Sequence, residues 1–257
     1  MSVFGESYAR YYALLYRDKD YDAEAGFVAK LLRQHAPDAR SLLELGCGGG
    51  KHAALLAALG YRVSGVDRSA DMLKAARALR AEQPAEIAER LDFSQGDITT
   101  LALGQTADCV ISLFHVISYM PDNAALKAAF ASARRHLKPG GVFLFDVWHG
   151  PTVVTERPAT RIKRMGDAHT EVTRLAEPVM HPEECLVDVN YQIFVRDIAS
   201  GQVEELRETH RMRYLFPPEI ALLAEISGFR VEHSCEWLSE RAPGEDSWGV
   251  CYVLRGI

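Results

Sequence analysis

The sequence predicts an α/β protein, a doubly wound and mostly parallel sheet with an antiparallel β lid inserted late in the chain. Three observations lead there. Residues 41–67 run as a short apolar strand, a glycine turn, a helix of alanines and leucines, and a second strand ending at Asp67. Strand-like and helix-like stretches keep alternating to Val147, and residues 107–114 (ADCVISLF) are apolar enough to be buried on both faces, as parallel strands are. From Trp148 to Leu215 runs of period two take over, which suit an antiparallel sheet with one wet face. Residues 1–149 are thus expected to form a ligand-binding α/β core with an N-terminal helical lid. Residues 150–215 would be the inserted β lid and substrate region, and residues 216–257 the return to the core.

Taken in order, residues 1–20 are rich in tyrosine, with Tyr8, Tyr11, Tyr12 and Tyr16. Two readings stay open: an amphipathic helix whose rings pack on the core, or a lid whose hydroxyl tips reach a ligand. Residues 22–35 set Phe27, Val28, Leu31 and Leu32 at helical spacing, and Pro37 ends that helix. After Asp67, Ser69 is placed to cap a helix with Asp71 in its first turn. Residues 91–96 read as a third strand closed by Gly96-Asp97-Ile98. The fourth, residues 107–114, leads into His115-Val116-Ile117-Ser118-Tyr119-Met120 at the carboxyl end of a central strand, where open α/β sheets collect ligands. An amphipathic helix over residues 126–137 and a Lys138-Pro139-Gly140-Gly141 turn precede a fifth strand over 142–147. Period-two runs at 161–165, 171–178, 186–197 and 203–214 make the lid. Pro217-Pro218-Glu219 opens a helix that Gly228 caps, and residues 230–237 and 247–255 are the last two strands.

With 257 residues, 48% of them hydrophobic, the chain can bury a sizeable core. Its net charge of -6 is spread without a basic run, which argues against nucleic acid or an anionic membrane as the main partner. Five cysteines, an odd number with no C-x-x-C pair, argue against a disulfide framework or structural zinc, and no Asp, Glu and His spacing demands a metal. The N-terminus lacks the basic start and apolar block of a signal peptide, and no apolar run approaches the roughly 20 residues that span a bilayer. A cytoplasmic protein is expected, acting on a small molecule as a monomer or homodimer.

The most informative stretch is Glu44-Leu45-Gly46-Cys47-Gly48-Gly49-Gly50, which fits acidic-x-Gly-x-Gly-x-Gly, with Asp67 at the end of the second strand. A dinucleotide site is a competing reading, because residues 48–53 satisfy the looser Gly-x-Gly-x-x-Ala form. A turn that merely lets a helix pack closely on a strand is the bland one. Glu44 ahead of the glycines and Asp97 after a later strand weigh against a dinucleotide, which needs neither.

These features resemble motif I of the class I methyltransferases that use S-adenosyl-L-methionine (SAM) and release S-adenosyl-L-homocysteine (SAH). The resemblance covers residues 42–147 well, LKPGGVFLFDV included, and residues 217–254 in general shape; it implies a seven-stranded sheet. It also implies that Glu44, Gly46, Cys47, Gly48 and Gly50 shape the cofactor turn and that Asp67 accepts the ribose hydroxyls. Arg68, Met72, Asp97 and Ile98 would surround the adenine, and Tyr16 and Leu113 would complete the cofactor contacts. Over nearly its whole length the chain is similar to the N-methyltransferases that dimethylate the amine of nucleotide-linked deoxyamino sugars. That group has a histidine where this chain has Tyr119.

Methyl transfer is a displacement whose main demand is alignment, and alignment supplies roughly 7–11 kcal/mol without a strong acid or base. An amine acceptor must still be neutral, and a sugar hydroxyl needs firmer base help. Tyr119, His115 and His210 are the candidate catalytic residues, and Tyr12, Trp148, His149 and Arg161 the candidate acceptor contacts. Arg157, Arg161, Lys163 and Arg164 form the densest basic cluster, suited either to a pyrophosphate or to a solvated strand face. A sugar or natural-product O-methyltransferase is the alternative enzyme; a SAM-binding regulator and a nicotinamide oxidoreductase are the alternative classes.

Overall fold

The computed structural model describes residues 14–257; Tyr8, Tyr11 and Tyr12 lie outside the described residues. Helix α1 (Tyr21–His35) begins where the Asp20 side chain accepts the Ala23 N–H at 2.9 Å. Then come β1 (Ser41–Leu45), α2 (Lys51–Ala58), β2 (Arg62–Asp67), α3 (Ala70–Ala81), the single turn α4 (Ala85–Ala88), β3 (Leu91–Gln95) and β4 (Ala107–Ser112). Ser69 caps α3 as expected, accepting from Met72 N. A 3-10 turn (Val116–Tyr119) follows, then α5 (Asn123–Arg135), β5 (Leu137–His149) and α6 (Gly150–Glu156). The strands β6 (Arg161–Gly166), β7 (Thr170–His181), β8 (Leu186–Asp197) and β9 (Val203–Leu215) precede α7 (Pro217–Ile226), β10 (Phe229–Glu236) and β11 (Gly249–Gly256).

The core sheet runs β3-β2-β1-β4-β5-β11-β10. Its strands are parallel except β11, which is antiparallel to both of its neighbours. This is the expected doubly wound, seven-stranded arrangement. One face packs on α1, α2 and α3 around Leu32, Val63 and Phe93; the other packs on α5 and α7 around Phe130, Phe143 and Phe145. Helices on both faces explain why β4 and β5 show no polar alternation.

Strands β6 to β9 form an antiparallel meander. It joins the core sheet where Trp148 and His149 of β5 pair with Tyr214 and Leu215 of β9. The meander's inner face holds Tyr191, Ile193, Leu206, Glu208, His210 and Met212, while Glu205, Arg207, Thr209 and Arg211 face solvent.

The structure corrects three local expectations. Residues 138–141 continue β5 as a strand, and a register shift between Ala107 and Cys109 absorbs the extra length. Strand β4 stops at Ser112, because Phe114 and His115 take left-handed φ of 66° and 61°. Residues 150–156, with the β-branched Thr152, Val153, Val154 and Thr155, form α6, which the sequence reading left inside the β region. Among the described residues no helix is long and apolar enough to cross a membrane, and no group of three or more His, Cys, Asp or Glu is placed to hold a metal.

Candidate active site

The glycine turn is held to the ends of β1 and β2 by its own N–H groups. Gly46 N and Cys47 N donate to Val66 O at 2.8 and 3.0 Å, Gly48 N to Asp67 Oδ2 at 2.8 Å, and Gly50 N to Cys47 O at 2.9 Å. These four N–H groups are therefore taken by the protein itself and are not open to a ligand. Gly46, Gly48 and Gly50 have φ of 76°, 52° and 77°. A Cβ on Gly46 would fall 2.6 Å from Val116 Cγ1, and one on Gly50 2.8 Å from Phe93 Cζ, so these two glycines serve internal packing. At Gly48 the nearest atom would be the flexible tip of Met72, at 3.2 Å, which leaves this glycine the open side of the turn.

Asp67 closes the mouth of the turn, its Oδ1 accepting the Ser69 N–H at 2.8 Å. Burial pushes its carboxyl up, and the Ser69 and Gly48 N–H groups pull it back. Glu44 lies behind the turn, 1% exposed, with Oε2 buried and unpartnered. Burial first, then the charge of Asp67, raises its pKa to about 8. Beside it, Glu24 accepts from Lys19 Nζ at 2.6 Å and lies 2.7 Å from His52 Nε2. Burial works to raise the Glu24 carboxyl, but the His52 and Lys19 hydrogen bonds win and hold it low.

At the kink after β4, two consecutive left-handed residues that are not glycine cost about 1–3 kcal/mol each and persist only where their surroundings fix them. Here His115 N donates to Asp146 Oδ2 at 3.1 Å, and Trp148 N donates to Ser118 Oγ at 3.1 Å. His115 Nδ1 also lies 2.7 Å from Asp146 Oδ2, an ion-pair distance, although the ring N–H is not aimed well enough to make a hydrogen bond. Asp146 is fully buried with Oδ1 unpartnered. The kink turns Phe114 under Tyr16, edge to face at 5.2 Å, and sets Lys19 Nζ 3.7 Å over the Phe114 ring. It also leaves His115 beside Trp148, ring centroids 6.4 Å apart.

The β meander completes the enclosure. Tyr119 Oη lies 2.7 Å from His210 Nδ1, and His210 Nε2 lies 3.0 Å from Glu208 Oε2. Tyr191 stands edge-on to His210 at 4.8 Å. Arg174 of β7 sits over the rings of Tyr191 and Tyr16 at 5.2 and 5.7 Å, with Nε and Nη1 buried and unpartnered. A surface groove lined by Lys127, Arg134, Arg135 and Ile226 is at the opposite, amino-terminal edge of the sheet, and has none of this chemistry.

Comparison with known proteins accounts for this arrangement. A methyltransferase domain model matches residues 42–141. The dTDP-3-amino-3,4,6-trideoxy-alpha-D-glucopyranose N,N-dimethyltransferase of Streptomyces venezuelae is 30% identical over 90% of this chain and 93% of its own length. The chain belongs to the class I SAM-dependent methyltransferases. A second relative in this methyltransferase family, the dTDP-3-amino-3,6-dideoxy-alpha-D-glucopyranose N,N-dimethyltransferase of Streptomyces fradiae, is 30% identical over 84% of this chain and 80% of its own. The structure of the sugar N-methyltransferase KedS8 from Streptoalloteichus superposes with a TM-score of 0.80 at 25% identity, covering 100% of this chain and 96% of that one.

The residues present fit the cofactor of this methyltransferase family. A carboxylate offers about four lone-pair sites, and the backbone takes two at Asp67, leaving acceptors for a pair of ribose hydroxyls. Gly48 leaves the adjoining surface free of its own side-chain bulk, and Met72, 4% exposed, is the side chain nearest to it. Several expected contacts are placed differently. Glu44 and Cys47 are buried behind the turn, and Ile98 and Leu113 lie in the core below it, 7% and 2% exposed. Arg68 is exposed next to Asp67. Asp97 caps its own turn, Oδ1 accepting from Thr99 N and Oγ1 at 2.8 and 2.7 Å, which ties one of its oxygens. His149 is 3% exposed, on the strand face opposite Trp148.

The expected basic cluster is split by the strand alternation. Arg161 and Lys163 pair across from Ala176 and Arg174 on the inner face, Arg164 points outward, and Lys163 is tied to Asp18 at 2.5 Å. Arg161 shares a register row with Ala176, Tyr191 and Glu208, but at the outermost strand. Sequence reasoning missed Lys19, Asp146, Arg174, Tyr191 and Glu208. Only Glu208 left a usable signal, since Glu-x-His on a period-two strand puts both side chains on one face.

Proposed function

We propose that this methyltransferase acts on the amine of a nucleotide-linked amino sugar, with residues 150–215 as the acceptor-binding lid. One observation supports this most directly. The lid's inner face pairs two different chemistries within one enclosure: Arg174 with buried, unpartnered donors suited to a phosphate, and Tyr119 with His210 suited to an amine. The dTDP-amino sugar enzymes named above agree with it along nearly the whole chain.

When bound, the cofactor supplies an electrophilic methyl group and its own leaving group. Asp67 and the Gly48 side of the turn would hold it, with Met72 and Arg68 at the adenine end. Phe114, His115 and Trp148 wall the space next to it, and Tyr16 with Lys19 covers that space. The protein's task is to bring an amine lone pair into line there and keep water out. Every residue named comes from one chain, so a cytoplasmic monomer or homodimer suits the reading equally.

The test is calorimetric titration with SAM, SAH and NAD, followed by turnover of dTDP-linked 3-amino and 4-amino deoxy sugars with the methyl group located in the product. Binding of both sulfur ligands but not NAD, with methyl found on nitrogen, is the expected result. Methyl found on oxygen, or no turnover of any amino sugar, would overturn the acceptor.

A further inference from the structure

His115 is held where its own backbone is disfavoured. It follows Phe114 in the left-handed region, with φ of 61° after 66°, and such strain persists only where the surroundings fix it. What fixes it is one buried carboxylate: Asp146 Oδ2 accepts the His115 N–H at 3.1 Å and lies 2.7 Å from His115 Nδ1. Anchoring the kink needs only one acceptor, which a neutral amide or hydroxyl would supply at less cost in desolvation. Asp146 instead buries a full charge, 0% exposed, with Oδ1 unpartnered. A charge so placed calls for a neighbour that is or becomes positive. Lys19 interacts with it at a distance but is tied to Glu24 at 2.6 Å, whereas His115 touches it.

An ionised carboxylate only accepts, so the proton of the neutral His115 ring sits on Nδ1, and Nε2 carries the lone pair. No hydrogen bond among the described residues occupies Nε2. Nδ1 is buried although the side chain is 24% exposed, so the accessible part of the ring lies away from Asp146. That part borders the enclosure beside Trp148, with ring centroids 6.4 Å apart. Gly249 of β11, paired with Trp148, keeps the ring's flank clear: a Cβ there would fall 3.4 Å from His115 Cε1 and 3.3 Å from Trp237 Cβ.

We propose that His115 is the base that takes the acceptor's proton, with Asp146 as its positioning residue. The assignment rests on the amine reading above. An N–H bond of the ammonium acceptor breaks and its proton bonds to His115 Nε2. The electron pair of that bond stays on nitrogen as the lone pair that methyl transfer needs, and Asp146 balances the imidazolium. The proton then leaves to water from the exposed part of the ring. The Nδ1 proton is not aimed straight at Oδ2, but catalytic hydrogen bonds are often poorly aligned before substrate binds and tighten in the complex. Among the described residues, the titratable and charged groups around the pair are Lys19 ahead of α1 and Cys251 of β11, which stands opposite Asp146 in the sheet.

The experiment uses the whole protein with SAM and a dTDP-linked amino deoxy sugar, comparing wild type, His115→Asn and Asp146→Asn between about pH 6 and pH 9. Asparagine tolerates the left-handed backbone, so the first variant spares the kink. His115→Asn should lose about 100-fold in kcat near pH 7, at nearly constant KM, and recover most of it near pH 9, where the amine arrives neutral. Asp146→Asn, which can still accept the His115 N–H, should show a smaller loss with the same recovery. Nitrogen NMR of the free protein gives a readout that needs no turnover: His115 should carry its proton on Nδ1 in wild type, and Asp146→Asn should redistribute it toward Nε2. A loss equal at every pH, or a wild-type proton on Nε2, overturns His115 as the base and leaves the amine reading standing. Wild type that binds SAM yet makes no N-methyl product overturns the amine reading, and the base with it.

Discussion

Glu44 and Asp67 both stood out in the sequence as acids flanking a glycine turn, yet their environments set them to different tasks. Asp67 is pinned by two N–H groups at the mouth of the turn, whereas Glu44 is sealed behind it, 1% exposed. With a pKa near 8 against an ordinary 4.5, Glu44 holds a proton in the folded protein that the unfolded chain has already lost. Stability should therefore fall as pH rises between those two values, since the folded state binds the extra proton throughout that window. Glu44→Gln keeps the shape and removes the titration. Thermal melts across that window should show wild type losing stability steadily toward pH 8 while the variant stays nearly flat; parallel curves would mean that Glu44 is ionised in the fold. No sequence pattern could have separated the two carboxylates, because burial is the largest influence on both and depends on how the turn packs in three dimensions.

The strands and most helices were legible because their period is set by burial. Strands β7, β8 and β9 alternate cleanly, and α5 presents Leu126, Ala129, Phe130 and Ala133 to the sheet at helical spacing. What escaped were features set by tertiary contact: α6, whose β-branched residues are held helical against the meander, and the left-handed pair after β4, which is anchored to Asp146 some thirty residues later. The split basic cluster at residues 157–164 teaches the same point from the other side, since neighbours in sequence on a strand face apart. Helix α5 also offers a test of how far the site depends on distant packing. Phe130 is fully buried and meets Phe143, Phe145 and Phe229 at 5.5, 5.4 and 6.3 Å. Phe130→Ala should cost about 3–5 kcal/mol through the cavity it leaves. Because the site lies at the carboxyl edge of the strands, SAH affinity of the folded variant should stay within about threefold of wild type, given that separated sites add independently. A large drop in affinity would mean that the sheet transmits the repacking to the turn.

Across the whole molecule, the enclosure is assembled from distant parts of the chain: Tyr16 and Lys19, the turn at 46–50, Asp67, the kink at 114–119, and the inner face of β7 to β9. The segment from Leu14 to Lys19 ties them together. Leu15 is buried against Val172, Ile193 and Val195 of the meander, while Lys19 reaches Glu24 of the core. A ligand held by several of these parts binds only when all are folded, so its binding free energy appears as global stability. At a hundred times its dissociation constant, SAH should stabilise the protein by about 2.7 kcal/mol. For a chain of this size that raises Tm by roughly 5–11 °C. Asp67→Ala removes the acceptor expected to take the ribose hydroxyls, worth about 1.5–3 kcal/mol for each bond to a charged group. At the same SAH concentration the variant should lose most of the rise, and NAD should produce none in either protein. Asp67→Asn guards against a merely loosened turn: it keeps the side chain's shape and, through its one amide oxygen, one of the two N–H bonds from Gly48 and Ser69, but lacks the charge, so an intermediate rise is expected. A variant that keeps the full SAH rise would move the ribose away from Asp67, and with it the orientation of the cofactor toward the lid.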